Sequence, residues 1–223
     1  MVRMICACGL FIALSPCGHA QKAADGAKDG KAKPKLNEEL RQELLQMVKE
    51  DQAARREMLK TPAPNEALRC KITDIDRKNT ARMKEIIDKH GWPGKSLVGE
   101  GGAHDAWLLV QHADRDREFQ KRCLTLLEKA VKAREASAAD LAYLTDRVLV
   151  AENKKQLYGT QFRTVDGKLE PHPIDDEKNL DKRRKEAGLS SMAEYRKSIE
   201  KLYKPKTEKN AEKKKDKESR LDL

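Results

Sequence analysis

The stretch AHDAWLLVQHA, residues 103–113, decides the fold of this chain. Its central part, residues 106–110, is apolar at every position. A helix with this sequence is apolar around most of its circumference, whereas a surface helix carries only one apolar stripe. We therefore expect this helix to lie in the middle of a core and its neighbours to pack around it.

The segments on both sides repeat apolar residues at helical spacing. Asn37, followed by two acidic residues, predicts the start of a first helix that runs to about Lys60. A second helix is expected to run to Lys89, before the GWPG turn, and a Gly-rich connection at residues 99–102 is expected to precede the central helix. Four further helices are predicted around residues 119–131, 137–148, 179–187 and 191–203.

One β signal interrupts the helical pattern. Asp166-Gly167 separates residues 161–165 from residues 168–172, and this dipeptide strongly favours a two-residue hairpin turn. The sequence thus predicts a mainly α fold, a single helical domain of about five to seven helices with a small β-hairpin near the C-terminal third.

The N-terminus has the pattern of an export signal. Arg3 precedes an apolar run at residues 4–14, and the small residues that follow fit cleavage after Ala20. The run is shorter than the roughly 17 to 25 residues of a membrane-spanning helix, so no transmembrane span is expected. We expect an exported protein, periplasmic or secreted, and the alternative is a lipoprotein anchored at Cys17.

Charge separates the ends of the chain from its middle. The chain carries 47 Lys and Arg against 37 Asp and Glu, a net charge of +10, and much of the excess lies in residues 21–35 and 204–223. This distribution predicts a signal peptide at 1–20, a flexible basic linker at 21–35, a helical domain at 36–203 and a charged disordered tail at 204–223.

The composition disfavours nucleic acid as a specific partner. Two Trp, four Tyr and three Phe are too few for an RNA-binding sheet that stacks bases on exposed rings. The basic excess lies in segments that also carry acidic residues, which favours solubility or weak contact with anionic envelope surfaces. The expected partner is an unidentified small polar ligand or a protein.

Cleavage after Ala20 leaves only Cys70 and Cys123 in the mature chain. Neither belongs to a CxxC metal or redox motif. In an oxidising compartment the two can form one disulfide. The alternative is a pair of buried thiols on the apolar stripes of their helices, and the sequence leaves both open.

His112 is the candidate for acid–base chemistry. It follows Gln111 at the end of the most apolar segment, where a buried polar group must find a hydrogen-bond partner. Asp116 or Asp114 could orient His112 as a general base, and the same residues could instead form a structural pair. His104 lies eight residues earlier, about 12 Å along a helix, too far to share a metal with His112. Neither a metal nor another cofactor is expected.

The segment QLYGTQ, residues 156–161, concentrates polar groups directly after a predicted helix. These groups could hold a polar ligand, or they could seal the hairpin onto the helices. The ligand-binding candidates are Arg147, Gln156, Tyr158, Thr160, Gln161, Gln111 and Trp92.

Four motifs together resemble a bacterial domain family of unknown function. They are HGWP at residues 90–93, AWLLVQHAD at 106–114, DRVLV at 146–150 and QLYGTQ at 156–161, together with the dipeptide Asp51-Gln52. The resemblance covers about residues 36–200 and implies a mainly helical single domain, often behind an export signal. It implies no reaction and therefore assigns no catalytic residue.

Two kinds of function remain open from the sequence. The preferred one is an exported binding or interaction module without catalytic activity. The alternative is a hydrolase or transferase with His112 as general base and a polar pocket formed by Arg147 and residues 156–161. This enzyme hypothesis requires His112 and residues 156–161 to line one solvent-reachable pocket.

Overall fold

The computed structural model describes residues 36–61, 66–166 and 168–203. The predicted signal peptide, basic linker and charged tail lie outside these residues. Within them the chain is mainly helical, with seven α-helices and one two-stranded antiparallel hairpin, which confirms the predicted fold class. None of the described helices has both the length and the apolar character that a membrane crossing requires.

The elements follow one another in the predicted order. Strand β1 (Phe162–Val165) pairs with β2 (Lys168–Pro171), and Val165 lies opposite Lys168 across the turn. A single 3-10 turn (Glu177–Asn179) follows the hairpin. The helices are α1 (Glu38–Lys60), α2 (Glu66–His90), α3 (Lys95–Gln111), α4 (Arg117–Lys132), α5 (Ala138–Ala151), α6 (Leu180–Glu186) and α7 (Met192–Tyr203).

Side-chain caps fix where several helices begin. The Asn37 carboxamide oxygen accepts a hydrogen bond from the Leu40 N–H at 3.0 Å, as the sequence predicts. At α7 the Ser191 hydroxyl accepts from the Glu194 N–H, and the Glu194 carboxylate accepts from the Ser191 N–H, which forms a reciprocal capping box. These local bonds explain why the starts of these helices could be predicted from the sequence.

Helix α3 lies at the centre of the fold, as its apolar sequence predicts. It contacts α1, α2, α4 and α5, and every residue from Ala106 to Gln111 is buried. Leu44 of α1, Met83 of α2 and Leu127 of α4 join the same core and have no exposed surface. Burial of each large apolar side chain stabilises the fold by roughly 1.5 to 3 kcal/mol.

The prediction of a Gly-rich connection at residues 99–102 is wrong, because α3 already begins at Lys95. Only Gly99, with φ 77° and ψ 171°, leaves the helical conformation and kinks the helix. Gly102 continues the helix and lies so close to Val98 that a Cβ atom there would be 2.8 Å from the Val98 Cβ. Close packing, rather than flexibility, therefore explains this glycine.

Cys70 and Cys123 are free thiols, and no disulfide joins them. Cys123 is fully buried on α4, where burial raises the pKa of its thiol to about 12. Cys70 is exposed on α2. The two thiols face different surroundings, so the alternative of two buried thiols describes Cys123 alone.

Candidate functional site

The turn between α3 and α4, residues 112–116, directs its polar side chains to three different partners. The His112 N–H donates to the Leu108 carbonyl and ends α3, and the Asp116 N–H donates to the Ala113 carbonyl at 2.9 Å. Asp116 then caps α4 by accepting from the Phe119 N–H. A short turn thus presents His112, Asp114 and Asp116 on separate sides.

His112 is held by Asp51 of α1. The His112 Nδ1 atom lies 3.1 Å from Asp51 Oδ1 and 3.0 Å from Asp51 Oδ2. Burial alone would raise the pKa of Asp51, but the hydrogen bond from His112 and the charge of Arg55 outweigh burial and lower it below its ordinary value. The ionised carboxylate can only accept, so the proton of the neutral imidazole is on Nδ1 and the lone pair is on Nε2.

The surroundings of His112 favour the neutral imidazole. The residue is 3% exposed, and burial together with the positive charge of Arg55 lowers the pKa of its side chain, against the opposing effect of Asp51. Its Nε2 atom makes no hydrogen bond with any residue that the structure describes. A neutral imidazole with a lone pair on Nε2 is the form that accepts a proton in general base catalysis.

Arg55 links Asp51 to a second carboxylate on α2. Its Nε donates to Asp51 Oδ1 at 2.9 Å, and its Nη2 donates to Asp76 Oδ1. Burial raises the pKa of Asp76 to about 6 despite Arg55, and the negative charges of Asp51 and Asp114 act in the same direction as burial. Asp76 is therefore a carboxyl group that titrates near neutral pH.

Arg147 of α5 ties the turn to the segment that precedes the hairpin. Its Nε and Nη2 atoms donate to the two carboxylate oxygens of Asp114, each at 2.6 Å, and its Nη1 donates to the Gln161 side chain at 3.3 Å. The charge of Arg147 is also among the causes that lower the pKa of His112. We call the linked residues the buried charge network: Asp51, Arg55, Asp76, His112, Asp114 and Arg147.

A cleft of about 330 Å³ opens beside the buried charge network. This volume is at the lower end of the roughly 300 to 1,000 Å³ found for small-molecule sites. Both α2 and the α3–α4 turn contribute to its walls, so His112 and Asp76 belong to the same surface. The lining residues are Asp76, Arg77, Thr80, Ala81, Lys84, His112, Ala113, Arg115 and Asp116.

Asp116 lines the cleft but does not orient His112. Its carboxylate pairs with Lys84 at 2.5 Å and caps α4, and Asp114 pairs with Arg147. Asp51 therefore takes the orienting role that the sequence assigned to Asp116 or Asp114. The physical reason is that α3 ends at Gln111, so a four-residue spacing does not bring His112 and Asp116 together on one helix face.

Asp146 fixes most of the segment at residues 156–161. This carboxylate has no exposed surface and accepts from the backbone N–H groups of Leu157, Tyr158 and Thr160 at 2.7 to 3.0 Å. The Thr160 hydroxyl donates to it as well, at 2.9 Å. Thr160 therefore contributes to sealing this segment onto α5.

Gln156 seals the same segment from the other side. Its amide nitrogen donates to the carbonyls of Gln161 and His172, and its amide oxygen accepts from the Gln161 N–H. These bonds use both ends of the Gln156 amide. The interpretation of the segment as a seal thus accounts for Gln156 and Thr160 without a ligand.

The other ligand-binding candidates lie apart from the cleft lining. Tyr158 is half-buried, and its carbonyl accepts from Arg184. Trp92 packs against the main core, and Gln111 is fully buried with no hydrogen bond to its amide from any described residue. Of the seven candidates, Arg147 joins the buried charge network and Gln161 contacts it, and none lines the cleft. Their role in binding stays a prediction.

Asp51, Asp76 and His112 also have the composition of a metal site. Each offers one ligand atom within 4.8 Å of the others. However, the Arg55 guanidinium already binds both carboxylates, and Asp51 also accepts from Gln52. A metal ion would have to displace a buried positive charge. We therefore interpret these residues as an acid–base group.

Asp51, Arg55 and Asp76 were not predicted as site residues from the sequence. A signal was present in α1, where Asp51 and Arg55 continue the helical spacing of the buried stripe that includes Leu40 and Leu44. Charged residues on an apolar stripe must be paired when the stripe is buried. This pattern could have identified Asp51 and Arg55, whereas their partners depend on how the helices pack.

The fold and the site define a helical domain whose buried charges meet at the end of its central helix. A family model described as "Family of unknown function (DUF6624)" matches residues 38–208, and the chain belongs to this family. No curated protein and no solved structure matches the chain. The family has no assigned reaction, so the chemistry of the site has to be argued from its residues.

Proposed function

We propose that the protein is a hydrolase or transferase, and that His112 acts as its general base in the cleft beside the buried charge network. One observation carries this proposal: Asp51 holds Nδ1 of His112, while the buried Nε2 has no hydrogen-bond partner among the described residues, and His112 is one of the residues that line the cleft. A base that is oriented by a carboxylate is the arrangement that proton abstraction requires.

The chemistry follows from the protonation state. A hydroxyl group or a water molecule held in the cleft transfers its proton to Nε2, and the imidazolium that forms is stabilised by the ionised Asp51. The Nε2 atom is buried, so neighbouring side chains have to move slightly before a group bound in the cleft can reach it. General base catalysis of this kind typically contributes about 10² to 10⁴-fold in rate.

The structure changes the balance between the two functions considered from the sequence. The enzyme hypothesis as the sequence framed it required one pocket lined by both His112 and residues 156–161, and this requirement is not met, because none of residues 156–161 lines the cleft. Asp146 and internal hydrogen bonds occupy most polar groups of that segment. His112 instead lines a cleft with Asp76, Lys84 and Arg115, which supports catalysis at this place.

The proposed site of action is outside the cytoplasm. This part rests on the apolar run at residues 4–14 and the small residues before Ala20. N-terminal sequencing of the protein from the cells that produce it tests the point. A chain that begins at Met1 or Val2 would contradict export.

A screen with p-nitrophenyl acetate, p-nitrophenyl phosphate and bis-p-nitrophenyl phosphate tests the catalytic role. His112→Gln and Asp51→Asn should each lower any hydrolysis by about 100-fold or more. His90→Gln, which changes a histidine outside the cleft lining, should retain the wild-type rate, and so should the wild type in a metal chelator. A folded His112→Gln variant with the wild-type rate on every ester that is hydrolysed would refute the proposal.

A second measurement needs no substrate. Nitrogen-15 NMR of the histidine rings at pH 7 should show His112 as the neutral tautomer with its proton on Nδ1, because Asp51 accepts from that atom. A proton on Nε2 at this pH would remove the lone pair that the mechanism uses. That result would contradict the proposal even if no ester is hydrolysed.

A further inference from the structure

The charged residues of the cleft are paired with one exception. Lys84 pairs with Asp116 at 2.5 Å, Arg77 pairs with Asp74, and Asp76 pairs with Arg55. Arg115 is exposed and forms no ion pair or hydrogen bond with any residue that the structure describes. Among the described residues that line the cleft, the guanidinium of Arg115 is therefore available to bind a ligand.

The α3–α4 turn holds Arg115 near His112. The hydrogen bond from the Asp116 N–H to the Ala113 carbonyl closes this turn, and Arg115 lies inside it, three residues after His112. Both side chains line the same cleft. A ligand that contacts Arg115 therefore lies on the same wall as the proposed base.

The chemistry of the lining indicates which ligand fits. A guanidinium group presents its donors in a planar fork that matches two oxygens of a phosphate or a carboxylate. Lys84 of α2 also lines the cleft and supplies a second positive charge. Its pairing with Asp116 is partly exposed and therefore weak enough to be shared with a ligand.

We propose that the cleft binds the phosphate-type dianion of a small organic substrate, with Arg115 as its anchor and Lys84 as the second positive charge. The identification of the ligand as a substrate rests on the proposed function, whereas the binding of the anion does not. The volume of about 330 Å³ exceeds what a phosphate group needs, which leaves room for a small organic group beside His112.

Binding of an anion in the cleft should change the pKa of His112. A negative charge within about 4 to 6 Å of an imidazole favours the protonated form. In the free protein, burial and Arg55 lower the pKa of His112. Binding of a dianion should raise this pKa, and the His112 resonances report the change directly.

Inorganic phosphate is the probe, titrated into the full chain at pH 7.5 and constant ionic strength and followed by NMR of the histidine rings. Phosphate should bind saturably, shift the His112 signals and bind more tightly than acetate. Arg115→Gln should weaken phosphate binding by about tenfold, since a charge-assisted pair is lost. Arg117→Gln is the matched control, because Arg117 is exposed two residues further on and does not line the cleft, and it should bind as the wild type does.

Three results would overturn the proposal: no saturable binding of phosphate, equal affinity in Arg115→Gln and wild type, or acetate binding as tight as phosphate. Arg115 is exposed, so its substitution should leave thermal unfolding unchanged, and this is checked first. His112→Gln separates the two proposals. If it binds phosphate and retains full ester hydrolysis, the catalytic role fails while the anion site stands.

Discussion

Asp51 on α1 holds Nδ1 of His112 at 3.1 Å, although the two residues are 61 positions apart in the chain. The contact joins the first helix to the end of the central one. It fixes the imidazole in one tautomer and supplies the negative charge that balances Arg55.

Asp51→Asn should destabilise the protein strongly. Asp51 and Arg55 are nearly completely buried, and removal of the Asp51 charge leaves Arg55 with Asp76 alone, whose carboxyl burial already favours in the neutral form. The free energy of unfolding should fall by about 3 to 5 kcal/mol, measured by urea denaturation. Asp88→Asn breaks an exposed pair with Arg122 and should cost less than about 1 kcal/mol. Equal losses in the two variants would mean that the buried pair has no special role.

His112 should make stability fall as the pH is lowered. Its pKa in the folded protein lies below the ordinary value of 6.5, so the unfolded chain takes up the proton first. The stabilisation is therefore complete above about pH 6.5 and is lost as the pH falls through the lower folded value. The free energy of unfolding of the wild type, relative to His112→Gln, should decrease over this range. A difference that does not change with pH would contradict the lowered pKa.

Asp76 should instead make stability fall as the pH is raised. Its pKa is raised from 3.8 to about 6, so the folded protein takes up this proton before the unfolded chain does. The stabilisation that comes from protonated Asp76 is complete below about pH 3.8 and is lost as the pH rises through about 6. Wild type should therefore gain stability relative to Asp76→Asn between pH 6 and pH 4, measured by thermal unfolding. A loss of stability over this range would show that the charge of Arg55 affects the pKa of Asp76 more than burial does.

Asp146→Asn should loosen the segment at residues 156–161. The carboxylate accepts four hydrogen bonds there, whereas a carboxamide has only one acceptor oxygen and sets its NH₂ group against backbone donors. Stability should fall by about 1 to 3 kcal/mol, and amide hydrogen exchange at Leu157 and Thr160 should accelerate. Asp166→Asn in the hairpin turn is the control, because asparagine also tolerates the positive φ of 50° found there. Unchanged exchange in Asp146→Asn would show that other contacts hold the segment.

The helices and the hairpin could be predicted because their signals are local. Asn37 and Ser191 mark helix starts within three or four residues, and the Asp166-Gly167 dipeptide in the sequence marks the turn of the hairpin. The extent of α3 could not be predicted in the same way. Glycine usually destabilises a helix by about 1 kcal/mol, and only the packing of Gly102 against Val98 explains its place there.

The candidate site could be predicted only in part. His112 could be predicted as a candidate because it follows an apolar run, and both His112 and Gln111 are buried in the structure. Its partner Asp51 depends on how α1 packs against α3, which no local pattern specifies. The predicted pairing with Asp116 relied on a helix that continues, whereas the chain turns at residues 112–116 and directs Asp116 to Lys84.

The neighbouring residues Asp146 and Arg147 give α5 two attachments at adjacent positions: one holds the segment before the hairpin, and the other holds the turn that carries His112. The α3–α4 turn is thus held by Asp51 of α1 and by Arg147 of α5. Helix α2 contributes Arg77 and Ala81 to the lining of the cleft, and both residues are exposed. Substitutions of these two exposed residues would change the shape and charge of the cleft without removing the contacts that Asp51 and Arg147 make with the α3–α4 turn.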